Sequence, residues 1–191
     1  MTALRRMVGE VPKSAYPVLP ADVVVRPAVA GDADPLSRLL NQLVRESSFL
    51  GPEPDEQGHR PDRLAAHLEQ NLSGGRGLIL GGFRSRRLVG YVEACRGGFR
   101  ANAHVLSVQG VGVLAEHQGL GIGQAMLAAL LGWARRHEVR RIALSVREDN
   151  VRAEALYRRI GFEREGTLRD QSRAAGVFRA EHVMALILKD D

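Results

Sequence analysis

The sequence predicts a mixed α/β fold of the α+β kind, in which about four helices flank a central, mostly antiparallel mixed sheet of six to seven strands. Two observations support this prediction. Three strand-like stretches follow one another between residues 77 and 113, which favours antiparallel neighbours. A long helical stretch then separates the last of them from the apolar run Arg141–Val146, so those two strands must be parallel.

One domain accounts for most of the chain. At 191 residues the chain can bury a core of its own without disulfides, and we expect this domain to span residues 22–191. Residues 1–21 contain Pro12, Pro17 and Pro20 and have no sustained hydrophobic period, which predicts an irregular N-terminal arm. No internal repeat is visible.

The elements follow from local patterns. Runs of β-branched and apolar residues predict strands, and apolar residues at helical spacing predict helices. In chain order these are a strand at Val23–Val25, a helix from Asp32 or Asp34 to about Glu46, a helix at Pro61–Leu72, a hairpin of Gly77–Phe83 and Leu88–Cys95, a strand at His104–Val113, a helix from Ile122 to His137, a strand at Arg141–Val146, a short helix from Asn150 to Gly161, and strands from Phe162 and from Val177.

A glycine loop joins the strand His104–Val113 to the longest helix. Gly119, Gly121 and Gly123 permit positive φ and a close approach of another molecule to the main chain. Because the loop opens a helix, its unpaired N–H groups and the helix dipole favour an anion such as phosphate. A dinucleotide fingerprint does not fit, since Gln124 and Met126 stand where its last glycine belongs. A P-loop would need a lysine. The pattern Q-x-x-G-x-G remains, as a diphosphate loop without metal ligands or as a structural turn.

A second informative stretch runs from Asn150 to Phe162. Asn150 is a natural cap for a short helix, and Tyr157 lies two turns further on, on the same side. Ala153 lies between them and leaves space. We therefore expect a helix face that is polar at both ends, small in the middle, and able to receive a slender ligand.

Composition limits the classes of partner. The net charge of +5 comes almost entirely from arginine, but the arginines are scattered among 22 acidic residues and aromatic residues are few. This favours attraction to polyanionic ligands and disfavours nucleic acid as a partner. Cys95 is the single cysteine and suits a reducing compartment. With neither a signal-peptide pattern nor an apolar run near twenty residues, we expect a cytoplasmic protein without a membrane partner.

The two motifs together resemble the GNAT family of N-acetyltransferases. The matching residues are Val111-Gly112-Val113, Gln118-Gly119-Leu120-Gly121-Ile122-Gly123, and Asn150 with Ala153-Glu154-Ala155-Leu156-Tyr157 and Gly161-Phe162. The resemblance covers roughly residues 23–188, and its specificity lies between Val111 and Phe162. Ala115 departs from the pattern, because many members have proline there.

The resemblance implies acetyl-CoA as co-substrate, no metal, and a sheet splayed between its two parallel strands. Gly110 and Gly112 would suit a bulge that causes the splay. The diphosphate of acetyl-CoA would bind main-chain N–H groups of the glycine loop. The pantetheine arm of acetyl-CoA would lie along β-strand residues like an added strand. The residues implied in binding are Val111, Gly112, Val113, Gln118, Gly119, Leu120, Gly121, Ile122, Gly123, Gln124, Asn150, Ala153 and Tyr157.

Two catalytic roles follow from the resemblance and from the chemistry of amines. Tyr157 would donate a proton to the leaving thiolate, with the alternative that it only packs. A neutral amine must attack, so some group takes its proton. We favour Glu93, which shares a central strand with Tyr91, and retain His104, Glu116 and Tyr91 as candidates. The alternative for Glu93 is a strand-face carboxylate paired with an arginine. An acyl-cysteine route through Cys95 is disfavoured.

The acceptor is not encoded in a readable motif. Small metabolite amines, antibiotics, amino acids and protein N-termini all fit, and the expected acceptor-side loops are Phe49–Arg60 and Arg169–Gly176. The competing function is a non-catalytic acyl-CoA-binding or regulatory domain on the same scaffold; a nucleic-acid-binding protein is the third. A homodimer paired through an edge strand is one assembly compatible with this fold.

Overall fold

The computed structural model describes residues 19–50, 58–74 and 76–188. Most of the expected N-terminal arm and residues 51–57 of the loop Phe49–Arg60 lie outside these ranges. The described residues form seven strands and four helices. These are β1 Val23–Pro27, α1 Ala33–Glu46, α2 Pro61–Gly74, β2 Gly77–Arg84, β3 Arg87–Arg96, β4 Val105–Val113, α3 Ile122–Arg136, β5 Arg141–Arg147, α4 Val151–Ile160, β6 Glu163–Ala174 and β7 Val177–Ile187.

The strands form one sheet in the order β1-β2-β3-β4-β5-β7-β6. All neighbours are antiparallel except β4 and β5, which are parallel. This confirms the predicted mixed, mostly antiparallel sheet. One expectation is wrong: residues 169–174 are not a loop but belong to β6, which forms a long hairpin with β7.

The parallel pair opens into a gap. β4 and β5, both wholly described, pair only where Val105–Ser107 lies beside Arg141–Ala143. Beyond Ser107 the strands diverge, and β4 runs on to Val113 while β5 runs on to Arg147. On the other side of β4 the register to β3 shifts between Glu93 and Ala94, which leaves Gln109 as an extra, bulged residue. A bulge bends and twists a strand, so it turns the end of β4 away from β5.

Helices cover both faces of the sheet. A Cβ atom placed on Gly112 would meet Leu43 of α1 and the Tyr91 ring, whereas one on Gly90 would meet Met126 of α3. Since side chains alternate along β3, α1 and Tyr91 lie on one face and α3 on the other. The leucines that recur at helical spacing along α1 are all buried; they are Leu36, Leu39, Leu40 and Leu43. Each contributes about 1.5–3 kcal/mol through its removal from water.

The α3 helix is buried more completely than its predicted apolar stripe suggests. Leu127, Ala128 and Leu131 are buried as well. They lie outside the stripe predicted by helical spacing, which consists of Ile122, Ala125, Met126, Ala129, Leu130 and Trp133. Trp133, a member of the stripe, is only partly buried. The helix is therefore held from several sides, which fixes its first turn and the glycine loop before it. Among the described helices, none combines the length and apolar character needed to cross a bilayer.

The turn between β2 and β3 permits a stability prediction. Ser85 and Arg86 form a two-residue connection, and their φ angles are 46° and 71°. Turns of this kind favour glycine at the second position, because a side chain is strained at positive φ. We expect Arg86→Gly to raise the free energy of unfolding by about 0.5–1 kcal/mol in urea titrations. Arg87→Gly, one residue into β3, is expected to lower it; equal losses in both variants would contradict this turn.

Candidate active site

The glycine loop between β4 and α3 has the backbone that its sequence predicts. Gly119 and Gly121 have φ of 81° and 79°, in the left-handed region that favours glycine. Gly121 is the N-cap of α3, and the first bond of the helix runs from Ala125 N to Gly121 O. The N–H groups of residues 122–124, in the first turn of the helix, therefore have no acceptor within the helix. They point out of its N-terminus, where an anion is favoured.

The open edge of β4 continues this row of main-chain groups. Leu114 N donates to Val89 O on β3 at 3.0 Å. Because N–H directions alternate along a strand, the N–H groups of Val113 and Val111 point to the opposite side, into the gap between β4 and β5. The Gln118 side chain confirms this direction, since its Nε2 donates to Val113 O at 3.0 Å. An extended ligand carrying amides would therefore find donors and acceptors along this edge.

The α4 helix places Asn150 and Tyr157 at the other wall of the gap. Asn150 caps the helix as predicted, and its Oδ1 accepts a hydrogen bond from Ala153 N at 3.2 Å. This bond uses the oxygen of the side-chain amide and leaves its N–H₂ group to donate to a ligand. Tyr157 is 7% exposed, and its ring packs against that of Phe162 at 5.8 Å between centroids. Burial raises the pKa of Tyr157 to about 12, so the phenol is protonated at neutral pH.

The raised pKa of Tyr157 predicts a loss of stability in alkali. The folded state holds the phenol proton more tightly than the unfolded chain, whose tyrosine titrates near pH 10. This contribution is complete below pH 10 and is lost as the pH rises through 12. We expect the free energy of unfolding to fall by about 2–3 kcal/mol from this group. Tyr157→Phe should show a correspondingly smaller fall in denaturant titrations at pH 9 to 12, and an equal fall in both proteins would contradict the prediction.

Tyr91 and Glu93 project from β3 toward the same gap. A Cβ atom on Gly110 would lie 2.4 Å from the Tyr91 hydroxyl oxygen, so Gly110 makes room for this phenol. Gly110 and Gly112 therefore serve the packing of Tyr91, and the bulge lies at Gln109, next to the predicted pair. Burial raises the pKa of Tyr91, and the negative charge of Glu93 adds to the effect. Tyr91 is thus a neutral phenol and not a base.

Glu93 is paired, but with a histidine. Its Oε1 atom lies 2.6 Å from Nε2 of His67 on α2, and the Glu93 side chain remains 25% exposed. The arginine partner weighed as an alternative from the sequence is therefore wrong. Glu93 lines the gap, while His67 stands behind it, outside the cleft lining formed by the described residues.

The other candidate bases lie elsewhere. His104 is exposed before β4, and its carbonyl oxygen accepts the N–H groups of Arg140 and Arg141. Glu116 lies on an exposed turn, 3.0 Å from Arg87 Nη1. Burial raises the pKa of the Cys95 thiol, which disfavours a nucleophilic thiolate. All three lie outside the cleft lining that the described residues form.

One cleft of about 1030 Å³ joins these parts. It runs from the glycine loop through the gap to α1 and β3. The predicted site residues that line it are Glu93, Val111, Gly112, Val113, Gln118, Gly119, Gly121, Ile122, Gly123, Gln124, Asn150, Ala153 and Tyr157. Leu120 is the exception, because its side chain packs partly buried against the core. Across the described residues, His, Cys, Asp and Glu form no cluster of three that could bind a metal ion.

Arg147 and Glu181 also line the cleft, although no motif in the sequence points to either residue. Arg147, at the end of β5, donates to the Ser48 carbonyl oxygen at 2.5 Å and lies over the Phe49 ring at 4.5 Å. Its guanidinium also forms two hydrogen bonds with Asp149. The segment after α1 is thereby tied to β5 across the gap. Glu181 of β7, which pairs with Arg147 in the sheet, lines the same cleft. The one sequence signal for Arg147 was its position directly after the buried strand RIALSV.

Comparisons with known proteins agree with this architecture. The family model described as acetyltransferase (GNAT) family matches residues 40–162. The phosphinothricin N-acetyltransferase of Streptomyces coelicolor is 30% identical over 159 residues, which are 82% of this chain and 91% of that protein. The N-alpha-acetyltransferase RimI of Mycobacterium tuberculosis is 43% identical over 89 residues, 47% of this chain. The match spans about half of RimI, 54% of its length.

A solved structure shows the same fold with a ligand. The phosphinothricin acetyltransferase of Sinorhizobium meliloti, in complex with acetyl-CoA, superposes with a TM-score of 0.77. Its sequence is 20% identical, and the match covers 87% of this chain and 89% of that one. Fold, cleft and relatives define the class of protein as an acyltransferase. The chain belongs to the acetyltransferase (GNAT) family.

Proposed function

We propose that this protein is an N-acetyltransferase that transfers the acetyl group of acetyl-CoA to a primary amine by direct attack. One observation carries the proposal: a single cleft contains a diphosphate-type loop, an open strand edge, a buried phenol and a carboxylate. Acyl transfer from a thioester to an amine needs each of these parts. The acetyl-CoA complex of the Sinorhizobium meliloti relative supports the choice of donor.

Acetyl-CoA fits the residues present. Gly119 faces open space, since a Cβ atom there would meet nothing within 4 Å, so a diphosphate can approach the main chain. Residues 118–124 would hold the diphosphate through main-chain N–H groups at the start of α3. Val111 and Val113 would bind the amides of the pantetheine arm, and the Asn150 side-chain N–H₂ would donate to it.

Three groups of the chain would carry the chemistry. Glu93 takes a proton from the substrate ammonium and so provides an amine with a free electron pair. The Val111 N–H, on the open edge of β4, donates to the carbonyl oxygen as negative charge develops there. Tyr157 gives its proton to the sulfur as the C–S bond breaks. Acetyl-CoA supplies the activated acetyl group, and Cys95 takes no part.

The acceptor end of the cleft favours a cationic amine. Glu93 and Glu181 both line the cleft, whereas the Arg147 guanidinium is engaged by Asp149 and Ser48. The relatives named above act on phosphinothricin and on protein α-amino groups, which are both primary amines. We propose a primary amine borne by a small molecule or by a protein N-terminus, acetylated in the cytoplasm. An edge-strand dimer would use β1 or β6.

The proposal is tested with acetyl-CoA and a panel of amines. We expect CoA release, detected by a thiol reagent, with at least one of phosphinothricin, a peptide with free N-terminal alanine, spermidine and glucosamine. Calorimetric binding of acetyl-CoA without turnover across the panel would favour the non-catalytic acyl-CoA-binding domain instead. Absence of both binding and turnover would overturn the proposed function.

A further inference from the structure

The pairing of Glu93 with His67 suggests where the proton of the reaction goes. Acetylation of an ammonium by acetyl-CoA yields an amide, a free thiol and one proton: R–NH₃⁺ + CH₃CO–S–CoA → R–NH–COCH₃ + HS–CoA + H⁺. The nitrogen loses two protons, and one of them returns to Tyr157 to replace the proton that the phenol gives to sulfur. In the proposed reaction the other goes to Glu93, and it must leave Glu93 before the next turnover.

His67 gives the proton on Glu93 a route to solvent that does not pass through the cleft. On the cleft side, bound substrates would cover the carboxylate. Its neighbours on β3, Tyr91 and Cys95, hold their own protons, because burial, reinforced by the charge of Glu93, raises the pKa of each. His67 approaches from α2 instead, with Nε2 at 2.6 Å, and 44% of its side chain is exposed to solvent.

The His67 nitrogen has a partner for either protonation state. With a proton, Nε2 donates to the carboxylate of Glu93. Without it, Nε2 can accept a hydrogen bond from Nδ2 of Asn71, one helical turn away and 3.2 Å distant. An imidazole that satisfies both states beside a carboxylate, and that reaches solvent, has the features of a proton relay.

We propose that His67 is a positioning residue that carries the reaction proton from Glu93 to solvent. The steps balance. Glu93–COO⁻ takes a proton from R–NH₃⁺ and becomes Glu93–COOH, which passes it to neutral His67; the imidazolium then releases a proton to water. His67 acts only through Glu93 and does not touch the substrate. The inference rests on the proposed function, because it concerns the fate of a proton that only this reaction produces.

Two substitutions of His67 distinguish a role in proton transfer from structural support of Glu93. His67→Ala removes the imidazole and opens a solvent-accessible space, whereas His67→Gln keeps a hydrogen-bond donor that cannot carry a proton. We expect both variants to lower kcat by about 10- to 100-fold, with the KM for acetyl-CoA unchanged. Added imidazole should restore kcat in His67→Ala but not in His67→Gln. His137→Gln, on an exposed histidine at the end of α3, is the matched control and should behave as the parent protein.

The amine that gives turnover in the panel above serves as acceptor, and thermal unfolding verifies the fold of each variant. Full activity in His67→Gln, or a loss in His67→Ala that imidazole does not reverse, would overturn the relay while leaving the proposed function intact. Failure of the parent protein itself to turn over any amine in the panel would overturn both.

Discussion

Tyr157→Phe is expected to lower kcat by about 100-fold or more while the Kd for acetyl-CoA changes little. The reason is that Phe keeps the packing of the buried ring against Phe162 but removes the proton that the leaving sulfur requires. With a pKa raised to about 12, the phenol is fully protonated at pH 7 and ready to donate. Steady-state kinetics and calorimetry with acetyl-CoA measure the two quantities separately.

Tyr91→Phe is the matched control for this prediction. It removes a phenol oxygen from the same cleft, but from a residue that the geometry assigns to packing beside Gly110. We expect a much smaller loss of kcat. Parallel losses of turnover and of acetyl-CoA affinity in Tyr157→Phe would argue against the proton-donor role, as would equal losses in the two variants.

Glu93→Gln is expected to lower kcat by about 100-fold or more at neutral pH, because the amide has nearly the volume of the carboxylate but cannot accept the proton of the ammonium. The remaining activity should rise steadily with pH as the fraction of free amine in solution increases. The rate measured from pH 6 to 9 with one amine from the panel checks this expectation.

Glu116→Gln provides the control for Glu93→Gln. The substitution is identical, yet Glu116 lies on an exposed turn beside Arg87 and outside the cleft lining of the described residues. Its kcat should equal that of the parent protein. Full activity in Glu93→Gln would show that another group or solvent, and not Glu93, accepts the proton of the ammonium.

The sequence predicts those parts of the site whose geometry depends only on a short stretch of the chain. The glycine loop needs only residues 118–123, because positive φ at Gly119 and Gly121 and the start of α3 are local properties. The relation between Asn150 and Tyr157 follows from the period of one helix, and Asn150 caps that helix as predicted. The parallel pairing of β4 and β5 followed from the helix between them.

Contacts between distant stretches could not be predicted. His67 and Glu93 are 26 residues apart and belong to different elements, and no spacing rule connects them. Arg147 and Ser48 are separated by 99 residues and meet only because the chain closes over the gap. The bulge at Gln109 depends on the register between β3 and β4, which a single sequence does not reveal.

The extent of β6 was underestimated for a related reason. Residues 169–173 carry charged and polar side chains and have no alternating pattern, which predicts a loop. Residues 172–174 pair with β7 and so continue the strand, past an irregularity in register between Leu168 and Ser172. Backbone hydrogen bonds to a neighbour can stabilise a strand whose own side chains give no signal of it.

A crystal structure of the protein with CoA tests the central claim most directly. The account predicts that the diphosphate accepts hydrogen bonds from main-chain N–H groups of residues 118–124. It also predicts that the sulfur lies in the gap between β4 and β5, within hydrogen-bonding reach of the Tyr157 hydroxyl. A diphosphate bound away from the glycine loop, or a sulfur remote from Tyr157, would contradict it.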